Sequence, residues 1–93
     1  MRVWVVVGVV DYEEAEVVGV LPSYSHAYAV MLERATSWDE VYIDEWEVGG
    51  ASKELARARV RPIFKQVFGD EWRTVTRSDG AKVHVREHNT PTG

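Results

Sequence analysis

Between Arg73 and Arg86 the chain carries five side chains able to hold an anion: Arg73, Arg77, Lys82, His84 and Arg86. Side chains alternate along a strand, so a strand over Lys82–Glu87 sets Lys82, His84 and Arg86 on one face. A partner strand over Trp72–Arg77 sets Arg73 and Arg77 together in the same way. Ser78-Asp79-Gly80 joins the two, with glycine free to adopt the positive φ such turns demand. A two-residue Asp79-Gly80 turn pairs Arg77 with Lys82, Val75 with His84 and Arg73 with Arg86. That register makes one basic surface that something acidic should cover, either nucleic-acid phosphates, with Trp72 and His84 as stacking groups, or the chain's own acids such as Glu40, Asp44, Glu45 and Glu47. A three-residue turn with a glycine bulge sends the two sets apart.

The other candidates are weaker. Arg57, Arg59 and Arg61 with Lys53 and Lys65 make a second basic stretch, and on a helix Lys53, Arg57, Arg61 and Lys65 lie on one side, the usual solvated face of an amphipathic helix. Asp11, Glu13, Glu14 and Glu16 cluster in one turn but lack the alternating ligands and central glycine of a calcium loop. His84 and His88 have a zinc spacing on a helix, yet along a strand they stand about 13 Å apart. No serine or threonine has a base and an orienting group nearby, and no glycine-rich loop leads from a strand into a helix. The chain has no cysteine, which excludes disulfides, thiol catalysis and cysteine-bound zinc. We therefore expect no catalytic residue, no metal site, no cofactor and no enzyme activity. Trp4, Trp38, Trp46 and Tyr42 suit either a small core or a protein interface. Trp38, in a polar loop beside Asp39 and Glu40, is the one least explained by a core and joins the candidates for partner binding.

The elements that position these residues follow from periodicity. Arg2–Val10 is β-branched almost throughout, with Val3, Val5, Val7 and Val9 on one side and Trp4, Val6, Gly8 and Val10 on the other, as in a strand covered on both faces. Asp11–Glu14 is a turn, and Ala15–Leu21 a second strand ended by Pro22. Ser23 or Ser25 caps a helix reaching about Ala35, packed through Tyr24, Ala27, Tyr28, Met31 and Ala35. Glu40–Val48 is a third strand, and the first strand should lie between the second and third. One helix covers one face only. The spacing of Leu55, Ala56, Val60, Ile63, Phe64, Val67 and Phe68 predicts a second helical segment over the other face, kinked or split at Pro62 and stopped at Gly69. The expected fold is α+β: a small mixed or antiparallel ββαβ sheet with a second helical segment and a C-terminal β-hairpin. Residues 1–93 form one domain, comprising a ββαβ unit (1–50), the helical segment (51–69), the hairpin (70–88) and a frayed tail (89–93).

Ninety-three residues, 45% hydrophobic and 28% charged, are enough for one modest core. The net charge of -4 hides a polarity. Residues 1–50 hold ten acids against Arg2 and Arg34, a balance of -8, and residues 51–93 hold nine bases against five acids, a balance of +4. Opposite halves point to electrostatic pairing within the chain, between subunits or with another molecule. A sequence pI near 5.3 disfavours nucleic acid, because the acidic half repels phosphates. No apolar run has the roughly 18 residues of a membrane span, and no signal peptide is evident, so a cytoplasmic protein is expected.

The run Val3-Trp4-Val5-Val6-Val7-Gly8-Val9 with Asp11-Tyr12-Glu13, then Val18-Gly19-Val20, a serine-led helix, and Asp39-Glu40-Val41-Tyr42-Ile43-Asp44-Glu45-Trp46-Glu47-Val48, resembles a family of small uncharacterised proteins of bacteria and their phages, notably mycobacteriophages. The likeness covers about half the chain and consists of framework motifs, so it carries over no catalytic residue. It implies a small phage or bacterial accessory protein; together with the absence of catalytic chemistry, this leads us to expect a protein that works by protein–protein interaction, binding and modulating a host protein, in the host-cell cytoplasm if phage-encoded. Exposed sheet edges and a doubly apolar central strand imply a homodimer or larger assembly. Nucleic-acid binding through the basic hairpin is the alternative.

Overall fold

The computed structural model describes residues 1–11, 13–61 and 71–91. Among these, in chain order, are β1 (Arg2–Val9), β2 (Ala15–Leu21), α1 (Tyr24–Arg34), β3 (Glu40–Glu47), β4 (Ser52–Arg59), β5 (Arg73–Thr76) and β6 (Lys82–Glu87). The strands form one sheet in the order β2-β1-β3-β4-β6-β5, antiparallel at every step. β1 lies between β2 and β3, as its doubly apolar pattern predicts.

The fold class departs from the expectation. This is a small sheet-dominated fold with a single short helix among the described residues, and Ser52–Arg59 is a strand rather than a helix. The reason is a bulge. β4 pairs Ala56 with Ile43 and Glu54 with Asp44, leaving Leu55 as an extra residue. Leu55 and Ala56 are both fully buried in the core, so the bulge breaks the two-residue period and, with Val60, imitates helical spacing. The remainder of the expected helical segment, including Pro62, Ile63, Phe64, Val67, Phe68 and Gly69, lies outside the described residues.

α1 begins at Ser23, whose extended backbone and Oγ, accepting from His26 N at 3.2 Å, cap the first turn. Its Ala27, Met31 and Ala35 pack on Val6, Val41, Ile43, Leu55, Ala56, Ala58, Val83 and Val85. Each fully buried aliphatic side chain in this layer contributes about 1.5–3 kcal/mol. Residues 88–90, at the start of the segment expected to fray, are bonded to β4. His88 N donates to Leu55 O (3.0 Å), Asn89 Nδ2 to Glu54 O (2.6 Å) and Lys53 Nζ to Thr90 O (2.8 Å).

No described element lies over the other face of the sheet. On it, in register across the strands, stand Ala15, Val17 and Val20 of β2, Val3, Val5, Val7 and Val9 of β1, Glu40, Tyr42, Asp44 and Trp46 of β3, then Glu54, Arg57 and Arg59 of β4. The left side of this face is aliphatic and the right side charged.

Candidate functional site: the open sheet face

The C-terminal hairpin takes the register that separates its basic residues. Arg77 N donates to Ala81 O and Gly80 N to Arg77 O, both at 2.9 Å, with Gly80 at φ +87°. This is a three-residue turn with a left-handed glycine, and it pairs Thr76 with Lys82, Val75 with Val83, Thr74 with His84 and Arg73 with Val85. A continuous basic surface over both strands therefore does not form. Arg73, Val75 and Arg77 face the helix, and Lys82, His84 and Arg86 the open side.

Both helix-side arginines are engaged structurally. Arg73 Nη2 donates to Tyr28 Oη (2.7 Å) and Glu87 Oε1 (2.9 Å), and its guanidinium lies 5.7 Å from the Tyr28 ring centroid, a cation–π contact. Arg77 Nη1 donates to Leu32 O (3.1 Å), Glu33 O (3.0 Å) and Thr36 Oγ1 (3.2 Å), satisfying carbonyls at the C-terminus of α1. Burial pushes the Tyr24 and Tyr28 hydroxyls up, and Glu87 adds to the rise at both. On the open side, Thr74 Oγ1 meets His84 Nδ1 at 3.2 Å. Lys82 and Arg86 make no hydrogen bond or ion pair among the described residues, and Arg86 stands directly opposite Arg57.

Trp38 is half-buried and packs against the core. Its indole lies over Gly8, where a Cβ would overlap the ring, so the loop tryptophan is a packing residue. Trp4 is buried and donates through Nε1 to Glu45 Oε2 at 3.1 Å. The exposed tryptophan is Trp46, at 41%. Among the described residues, the large hydrophobic side chains left exposed are Met1, Val17, Val20, Trp46 and Val48. Val17, Val20 and Trp46 share the open face, and Met1 and Val48 continue the alternation of β1 and β3 onto it.

The charged side of that face is a chain of ion pairs that periodicity alone misses. Arg59, 4% exposed, donates to Asp11 Oδ2 (2.9 Å) and Glu40 Oε2 (2.7 Å), while Arg57 bridges Glu40 and Glu54 (2.6 Å to Glu54). His88 Nε2 closes on Glu54 at 2.6 Å. Hydrogen bonding to Glu54 raises the Arg57 pKa against the opposing effect of burial. Burial alone would lower that of Arg59, but its bonds to Asp11 and Glu40 win and raise it. The Asp44 carboxyl is raised, first by burial and then by neighbouring Glu54. Arg57, expected on the solvated face of a helix, and its neighbour Arg59 are thus structural; the alternation Arg57-Ala58-Arg59 is the signal in the sequence.

A cleft of about 390 Å³ lined by Asp11, Trp38, Asp39, Arg59 and Arg61 lies at the end of this chain. Its polar groups largely satisfy one another: Asp11 N donates to Asp39 Oδ2 at 2.8 Å and Arg59 Nε to Arg61 O at 3.0 Å. Among the described residues no three His, Asp or Glu side chains group as a metal site, and no helix is long and apolar enough to cross a membrane. Compared with protein-family models, curated proteins and solved structures, the chain matches none of them.

Proposed function

We propose that this is a non-enzymatic accessory protein that self-associates and acts through protein–protein contact, with the open sheet face as its binding surface. The observation that carries the reading is the gathering of Val17, Val20 and Trp46 on that face. Contiguous exposed apolar surface of this kind marks interaction sites in small proteins, and an exposed tryptophan is a frequent interface anchor. The phage-family resemblance implies a host protein as the partner and the host-cell cytoplasm as the place of action. Affinity capture from an actinobacterial lysate tests it, comparing wild type with Trp46→Asp. A protein held by the wild type and lost by the variant is the expected result. Bait alone, or capture indifferent to the substitution, would count against it.

Nucleic-acid binding is the second reading, favoured by Lys82 and Arg86 on the same face, which have no ion-pair partner among the described residues. Binding to a mixed-sequence single strand should then fall steeply with salt and be abolished by Lys82→Glu with Arg86→Glu. Arg73 and Arg77 are unsuitable probes, since replacing either disturbs the fold.

A further inference from the structure

The sheet has two edges, and they differ. β5 is four residues long and bounded by Arg73 and Arg77, each already bound to the helix or to its own turn. β2 is seven residues long, and its central run, Val17-Val18-Gly19-Val20, carries no charge and no proline. No described strand pairs with its outer side. Edge strands are normally blunted by lysine, proline or shortness, and a long uncharged one is a template for pairing. Its bulge, at Val18 opposite the Val6–Val7 step, turns Val17 and Val20 to the same open face, where each is 60% exposed.

We propose that β2 pairs antiparallel with β2 of a second copy, about a two-fold axis normal to the sheet and centred on Val18–Gly19. This deepens the self-association in the functional reading and rests on it. The pairing sets Val17 of each copy beside Val20 of the other and joins the two aliphatic faces into one. Charge favours this occupant and this direction. Glu13, Glu14 and Glu16 stand at the start of β2, so antiparallel pairing keeps the two acidic ends apart, whereas parallel pairing stacks them. Glu16 lies opposite Gly8 and hence on the helix side. In the pair it falls across from Leu21 of the other copy, just before α1, whose first turn holds no acid. The acid thus meets the positive end of that helix. A two-fold contact uses the edge once on each copy and closes at the dimer.

Sedimentation of the full chain across a wide concentration range tests this, with two double variants at these exposed positions. The wild type should be a dimer that dissociates on dilution. Val17→Lys with Val20→Lys sets like charges against each other across the axis and should weaken association at least tenfold. Val17→Lys with Val20→Glu sets opposite charges there and should restore it, which a purely local packing defect would not do. Because the chain has no cysteine, an oxidised mixture of Val17→Cys and Val20→Cys chains should cross-link where neither alone does. A monomeric wild type, a Lys/Lys variant as dimeric as wild type, or the strand of a different protein seated on β2 overturns the proposal. Sedimenting the Trp46→Asp chain alongside the capture separates the two readings, because Trp46 lies on β3 and not on the β2 edge. A captured partner with a monomeric wild type upholds partner binding alone, and an intact dimer with no captured partner upholds only self-association.

Discussion

At Gly8 the loop after α1 packs directly on β1, because the Trp38 indole rests on the glycine backbone. Gly8→Ala should therefore destabilise the protein by about 1–3 kcal/mol in urea unfolding through overpacking. Combining it with Trp38→Leu should recover part of that loss, the non-additivity expected of residues in contact. Asp79 offers a second test at this scale. The Arg77 hydrogen bond, helped by the Ala81 N–H, lowers its carboxyl from the ordinary 3.8 to about 2. A carboxyl more acidic in the folded chain than in the unfolded one contributes stability that is complete above 3.8 and is lost as pH falls towards 2. The stability difference between wild type and Asp79→Asn should hold steady near neutrality and shrink through that window in pH-resolved thermal unfolding.

At the scale of elements, Arg77 and Arg73 both tie the hairpin to the helix, and Arg77 makes the larger set of bonds. Arg77 takes two carbonyls of the last helical turn and the Thr36 hydroxyl while gripping Asp79 of its own turn (Nη2 to Oδ2, 2.5 Å). Arg77→Ala should lower the melting temperature and speed amide exchange in the segment 32–36. Arg77→Lys should not rescue it, since a point-like ammonium lacks the planar fork that reaches these acceptors together. The sequence announces β1, β2, α1, β3 and the hairpin strands, because their apolar residues keep a clean period and Ser23, Pro22 and Gly80 punctuate them. It misleads at β4, where the Leu55 bulge places neighbouring residues on one face. It also leaves the hairpin register open, since Ser78-Asp79-Gly80 serves either turn and only the pairing across β6 decides. The candidate site is legible in part. Lys82, His84 and Arg86 share a face by alternation alone, whereas the engagement of Arg73 by Tyr28 and of Arg77 by α1 joins residues 44 or 45 apart in the chain.

At the scale of the molecule, the opposed charge of the two halves is largely consumed inside the chain. Asp11 and Glu40 come from the acidic half and Arg57 and Arg59 from the basic one, and they meet where β3 lies against β4. Glu40→Ala would leave Arg59 buried with fewer acids than it was built for and should cost about 3 kcal/mol. The core is shared in the same way: Leu55, Ala56, Ala58, Val83 and Val85 from the second half complete the layer under α1. Without them β3 becomes a bare edge and one flank of Met31 and Ile43 meets water. A fragment of residues 1–50 should therefore be largely unfolded by circular dichroism, despite containing β1, β2, α1 and β3. Adding a fragment of residues 51–93 should restore sheet signal, and moderate salt should weaken the recovery by screening the encounter of an acidic fragment with a basic one. A fragment 1–50 that folds alone would show that the ββαβ unit carries its own core and that the second half is an addition to it.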